Sequence, residues 1–385
     1  MPLQNSSSDC LILSRPLLRH DKSTTVFWKL GIASRQEETV VGTEACRRHH
    51  PKDKEFMMTK RILMGVVFSS MVAGSVLAAD FSSIIFYEYT HDATEGGTAD
   101  GKWENTRAYL TMADKPADNL SYKLTIDAGR AGADTGDMAY EYFVKNAYVD
   151  WTNGFGKWSF GVIPMNMFNV QEGTFGHRFL SAPIMDNHKF SASADLGAGW
   201  AKSFGLVSTS LTWTNGVGYK KAEDDKYKKL AVQVLAGEGN LSKKDGWNAG
   251  IVYSMEPVSA DDSKSVMGIV GGWAGMGARL GFEFDTKTTT GVTTTTGVRD
   301  VTEQIIGVYG TYKLPISLPV EAFLQMDMYD PNTDADDDGK TELIIGAQFN
   351  PVKGLVIAPN IKTTSFEVSG SDPETYYRVN FEFKI

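Results

Sequence analysis

The sequence predicts an all-β chain, a closed transmembrane antiparallel up-and-down β-barrel of about 16 strands. Three observations predict it. Apolar and polar residues alternate with period two through most of the chain after Asp80. The connections between these segments are long and short in turn, and most tryptophans fall beside the short ones, where an interfacial aromatic girdle would put them.

The segment before the first strand, "TKRILMGVVFSSMVAGSVLAAD", holds basic Lys60 and Arg61, an apolar run from Ile62 to Leu77, and Ala78-Ala79 ahead of Asp80. That run is shorter than the ~20 residues of a spanning helix, and its flanks follow the order of a secretory signal peptide. Residues 57–79 are therefore expected to be a cleaved signal peptide, leaving residues 80–385 as the barrel. Residues 1–56 have no hydrophobic period and contain both cysteines, Cys10 and Cys46. They read either as a non-native leader translated from an early start codon or as a disordered extension. The mature part then offers no disulfide framework and no thiol chemistry. Before Asp80 there are 11 Lys+Arg and 7 Asp+Glu, or +4, so the mature chain carries −9 − 4 = −13. That charge argues against nucleic acid as a partner.

Strands are expected near 81–90, 105–113, 120–129, 141–151, 157–163, 189–201, 206–214 and 226–236. Eight more follow near 246–255, 264–273, 277–285, 302–312, 319–329, 340–350, 354–363 and 375–385. The last is the clearest. In "YRVNFEFKI", Tyr377, Val379, Phe381, Phe383 and Ile385 share one face, and Arg378, Asn380, Glu382 and Lys384 the other. The same division puts Leu120, Tyr122, Leu124 and Ile126 opposite Lys123, Thr125 and Asp127, and Leu280 and Phe282 opposite Arg279 and Glu283. A helix would mix the two sets around its cylinder. Strand 141–151 breaks the pattern, because Lys145 shares parity with Phe143, Ala147, Val149 and Trp151, and its inward face is left open.

Long connections are expected at 91–104, 130–140, 164–188, 215–225, 256–263, 286–301, 330–339 and 364–374. The 286–301 connection, with "TKTTTGVTTTTGVRD", reads as a mobile Thr/Gly loop. Trp151, Trp158, Trp200, Trp247 and Trp273 all fall beside short turns. Closure into a barrel removes the exposed edges that an open sheet of this width would carry.

The pieces "TRAYLTMAD", "LSYKLTIDA", "VKNAYVDWTNGFGKWSFGVIPMNMF", "ADLGAGW" and "LTWTNGVGY" occur in that order and cover much of the mature chain. Together they resemble the bacterial outer-membrane porins, most closely the phosphate-selective porin O and P-like group, with the turn from Gly161 to Phe168 the most specific piece. The resemblance implies a 16-stranded barrel in outer-membrane lipid, passing small hydrophilic solutes and ions by passive diffusion and assembling as a homotrimer. It also implies that the barrel-insertion machinery reads the last strand, which here ends Phe383-Lys384-Ile385 without the usual terminal aromatic.

In such a channel, rings of inward charge select ions and a constriction selects size. The long connection 164–188 resembles the porin loop that folds into the barrel, which would bring Glu172, His177, Arg178, Asp186 and His188 to the constriction; an exposed surface loop is the other reading. On the walls, Arg107, Lys123, Lys229, Arg279, Arg378 and Lys384 are assigned inward. So are Glu88, Asp127, Asp195, Glu283, Glu303, Glu321, Asp327, Glu342 and Glu382. Acids outnumber bases, so weak or cation-leaning selectivity is expected, with an anion- or phosphate-selective channel as the alternative.

No cofactor is expected. Asp334, Asp336 and Asp338 begin a calcium-loop pattern, but Ile345 stands where the bidentate Glu belongs, so the segment reads as a surface calcium site or as a solvated acidic tip. Catalysis is not expected either, since the mature histidines are His91, His177 and His188 and no G-x-S-x-G motif accompanies them. A structural or adhesive barrel differs from a channel in passing almost no current.

Overall fold

The computed structural model describes residues 79–97, 101–130, 140–223, 225–294 and 297–385. The expected leader and all of the expected signal peptide but Ala79 lie outside these residues.

Among the described residues there are 16 strands. They are β1 (Asp80–Asp92), β2 (Gly101–Ala117), β3 (Leu120–Arg130), β4 (Tyr140–Asn153), β5 (Gly156–Pro164), β6 (Ala194–Phe204), β7 (Val207–Thr214) and β8 (Lys229–Gly237). The second half comprises β9 (Gly246–Pro257), β10 (Ser263–Gly275), β11 (Ala278–Thr294), β12 (Gly297–Lys313), β13 (Val320–Asp330), β14 (Lys340–Val352), β15 (Leu355–Phe366) and β16 (Glu374–Lys384). Each pairs antiparallel with its sequence neighbours, and β16 returns to β1 in the register Ile84↔Lys384, so the sheet is a closed barrel. No helix among the described residues is long and apolar enough to cross a membrane; a closed barrel crosses with strands that satisfy each other's backbone groups.

Alternation decides the faces. Leu280 and Phe282 are exposed outside while Glu283 and Asp285 are buried inside, and Leu324 and Met328 point out where Phe323, Gln325 and Asp327 point in. Trp151 pairs with Trp158, Trp158 with Trp200, and Trp247 with Trp273, which places all five in one row near the short turns. At the opposite rim, exposed Trp103 packs on Tyr89 with ring centroids 5.2 Å apart, and exposed Trp213 sits one residue from the end of β7. Two aromatic belts therefore bracket an outward apolar band, as a membrane barrel requires.

The open face of strand 141–151 has a local cause. Thr125 pairs with Asn146 and Ile126 with Val144, so Lys145 is the extra residue of a β-bulge. Exposed Tyr142 and Val144 before it, and exposed Val149 and Trp151 after it, all lie outside despite opposite parity. The bulge shifts the period by one residue.

Two expected boundaries are corrected. The Thr/Gly segment 286–301 is not a long loop, because β11 and β12 continue through it with Thr289↔Val301 and Val292↔Arg299 in register. β-branched threonines suit a pleated surface better than a free loop. The strand expected at 189–201 begins only at Ala194. Lys189 takes a positive φ of 59°, and Phe190 and Ser191 are buried with the preceding connection.

That connection, 165–193, is the third long loop, here L3. It carries two short helices, α1 (Asn169–Phe175) and α2 (Ile184–Asn187), and folds into the barrel rather than over its rim. Met165, Met167, Phe168, Phe175, Phe179, Leu180, Ile184, Met185 and Phe190 form the main buried cluster with inward residues of the wall. The wall makes room with glycine: a Cβ at Gly307 would lie 2.5 Å from Ile184 Cδ1, and one at Gly268 2.7 Å from Met185 Cε.

Candidate pore and constriction

L3 is fixed to the wall by polar contacts on several strands. Gln171 Nε2 donates to Glu283 Oε2 of β11 at 3.3 Å, and Asn380 Nδ2 of β16 donates to the Phe179 carbonyl at 3.1 Å. On β8, Gln233 Nε2 donates to the Asn166 carbonyl and to Asn169 Oδ1, each at 2.7 Å. Its two histidines both reach β13. His188 Nε2 is 2.7 Å from Asp327 Oδ2 with its ring stacked on Tyr329 at 4.1 Å, and His177 Nε2 is 3.1 Å from Glu321 Oε1. Arg279 of β11 joins the latter pair, donating to the Phe175 carbonyl at 2.9 Å.

A second segment enters the lumen from the loop between β7 and β8. Tyr219 N donates to the Ala194 carbonyl at 3.0 Å, and its hydroxyl donates to Asp127 Oδ2 at 3.2 Å. The same carboxylate oxygen holds Arg107 Nη1 at 2.8 Å. Asp195, also buried, is capped by the backbone N–H groups of Leu196 at 2.8 Å and Gly216 at 2.5 Å.

L3 and Tyr219 divide the interior into two chambers. Toward the long loops lies a cavity of about 720 Å³, bordered by Arg107, Lys189, Tyr219, Lys220, Lys229 and Lys287 among others. Toward the short turns lies one of about 460 Å³, bordered by Tyr109, Lys123, Lys145, Glu172, Arg178 and Lys384 among others.

Most interior cations are held in ion pairs. Among the described residues, four interior arginines each have a carboxylate partner: Arg107 with Asp127, Arg178 with Glu172 at 2.9 Å and Asp186 at 3.1 Å, Arg279 with Glu321 at 3.7 Å, and Arg378 with Glu88 at 3.3 Å. For Arg178, burial opposes the charge, but Glu172, Tyr109 and Asp186 outweigh it and hold the guanidinium above its ordinary pKa. Lys229 and Lys264 share Glu256, Lys287 pairs with Glu303, Lys340 and Lys362 share Glu342, and Lys384 pairs with Glu382. Among the described residues, Lys123, Lys145, Lys189, Lys220 and Lys221 border the chambers with no carboxylate at ion-pair distance. Burial, with Arg107 adding repulsion, pulls the Lys220 ammonium below the usual lysine pKa.

Among the described residues, the acids that border the chambers are ion-paired, Asp186 and Glu256 in the loop-side one and Glu172 and Glu382 in the turn-side one. Asp127, Asp195, Glu283, Asp285 and Asp327 are almost fully buried, and Glu283 and Asp285 lie on β11 under α1 and α2, with oxygens that find no partner among the described residues. Of the residues singled out in the sequence, Arg107 with Asp127, Glu172 with Arg178, and His177 with Arg279 and Glu321 are brought together. Glu283 and Asp327 lie under L3, Arg378 joins Glu88 on the β16–β1 wall, and Lys123 stands alone in the turn-side chamber. Sequence reasoning missed Tyr109, Lys189, Tyr219, Lys220, Lys221 and Asp285; only the broken alternation around Lys145 gave a signal. Among the described residues, no three His, Cys, Asp or Glu side chains converge as a metal ion needs, so Asp334, Asp336 and Asp338 are not gathered, and the tip turns through Asp337 at φ 62°.

No protein-family model matches the chain, and no curated protein matches it. Solved structures do match. The anion-selective porin from Comamonas acidovorans superposes with a TM-score of 0.57 at 12% identity, over 80% of this chain and 99% of that one. The trimer form of OmpT, an outer-membrane protein of Vibrio cholerae, gives 0.56 at 15% identity, over 80% and 99%. Salmonella typhi OmpF, in complex with daunomycin, gives 0.55 at 11% identity, over 79% and 97%. At such identities the likeness speaks for architecture, and it agrees with strand count, closure and topology: this chain has the fold of the 16-stranded bacterial outer-membrane porins.

Proposed function

We propose that the chain is an outer-membrane porin, a channel for passive diffusion of small hydrophilic solutes and ions that L3 narrows and that leans toward anions. The observation that carries this reading is the division of interior charge. Arginines and most acids neutralise one another or are buried, while among the described residues five lysines border the chambers with no carboxylate at ion-pair distance. An ion in transit feels the charges that face it, with low-dielectric walls concentrating their field. Counting acids and bases along the strands leans toward cations; weighting them by what faces the lumen reverses that sign. The sequence resemblance to phosphate-selective porins supports the same sign, although the cations here are lysines rather than a continuous run of free arginines.

The proposal includes a homotrimer, an assembly that the Vibrio OmpT structure has, with the long loops outside the cell. It includes export through a cleaved signal peptide at 57–79, with 1–56 as leader; N-terminal sequencing of the exported protein is expected to start at Asp80. Liposome swelling with neutral sugars of graded size tests the channel itself. Small sugars are expected to enter quickly and larger ones to be excluded, whereas liposomes that never swell would mean a sealed barrel.

A further inference from the structure

Lys145 stands apart among the interior cations. As the extra residue of the β3–β4 bulge it has no cross-strand partner in β3, and its side chain enters the lumen. Its Nζ lies 3.5 Å from the Tyr109 hydroxyl, 4.9 Å from the Tyr109 ring centroid and 5.6 Å from that of Tyr219. Tyr109 borders the turn-side chamber and Tyr219 the loop-side one, so the ammonium lies between groups that line the two chambers.

Its cationic neighbours are occupied. Arg178 directs its two terminal nitrogens at Glu172 and Asp186, and Arg107 is held by fully buried Asp127. Lys145 has three N–H donors, of which Tyr109 takes one. The Tyr109 hydroxyl accepts from Lys145, and its own proton meets no acceptor among the described residues. Two donor groups therefore converge on the lumen without an acceptor, beside two arginines whose charge Glu172, Asp186 and Asp127 offset and which are not free to close on an ion.

We propose that the Lys145 ammonium and the Tyr109 hydroxyl form a transit site for small oxyanions, accepting a carboxylate or phosphate oxygen between the chambers, and that Lys145 sets the anion preference of the channel. The inference rests on the channel reading above and adds to it a residue and a ligand chemistry. A single point charge suits the task, since a bidentate guanidinium grips planar oxyanions more firmly than transit allows.

The test uses the mature protein in planar bilayers, reading the reversal potential in a KCl gradient and the chloride conductance as acetate or phosphate is added. Wild type is expected to favour chloride and to lose chloride conductance as either oxyanion occupies the site; the more effective of the two identifies the preferred source. Lys145→Gln is expected to lower the chloride-to-potassium permeability ratio by about tenfold, since one unit charge felt at ~6 Å through water acts on the two ions with opposite sign, roughly threefold on each, and to abolish the oxyanion effect. Lys145→Arg is expected to keep the preference and deepen the block. Tyr109→Phe is expected to keep the preference and weaken the block. A folded, conducting Lys145→Gln channel with the wild-type ratio overturns the proposal and leaves the channel reading standing. If that variant fails to insert, Tyr109→Phe decides: an unchanged oxyanion effect overturns the site. A wild-type barrel that passes no current overturns both.

Discussion

Charge in the lumen is set residue by residue, and pairing rather than number decides its effect. Glu283 and Asp327 counted as acids in the sequence, yet both are sealed beneath L3. Lys220 counted for nothing there, yet it borders the loop-side chamber with its ammonium 4.6 Å from the Phe143 ring. Burial and the nearby Arg107 lower its pKa, so on raising the pH it loses its charge before an exposed lysine does. Anion preference is therefore expected to decline from neutral toward alkaline pH. Reversal potentials recorded across that range check it, and Lys220→Gln should remove the earliest part of the decline. None of this pairing was legible in one dimension, because Arg107 meets Asp127 across two strands and Tyr219 reaches the same carboxylate from a loop 92 residues further along.

At the scale of elements, the strands were legible because period two is enforced twice, by lipid on one face and by water or L3 on the other. It failed where a local device intervened. The bulge at Lys145 reverses parity within β4, and no side-chain pattern announces a bulge. The threonines of 286–301 read as a loop by low complexity but pair as strand. The length of the 164–188 connection suggested an inward loop, and what confirms its course is the floor of inward glycines, which have meaning only once α2 lies on them. Gly307→Val would drive a branched side chain against Ile184, at a cost of about 1–3 kcal/mol for an overpacked core. The expected outcome is an L3 held less firmly, seen as larger and noisier single-channel conductance and a lower unfolding temperature by heat-modifiable gel migration. Unchanged conductance and unfolding temperature would mean that the contact between L3 and β12 does not set the constriction.

For the whole molecule, strand number and closure were legible from alternating connection lengths, and the aromatic rows from tryptophan placement. Exposed apolar residues cover the outside, including Phe160, Leu211, Ile251, Ile269 and Leu280, and they make physical sense only against lipid. What the sequence could not supply was the sign of the field inside, since that depends on which carboxylates the wall keeps from water. The wild-type mature protein can be recorded in a planar bilayer under a KCl gradient. Discrete current steps that reverse on the anion-selective side are the expected result. A silent bilayer, or steps that reverse on the cation side, would contradict the account.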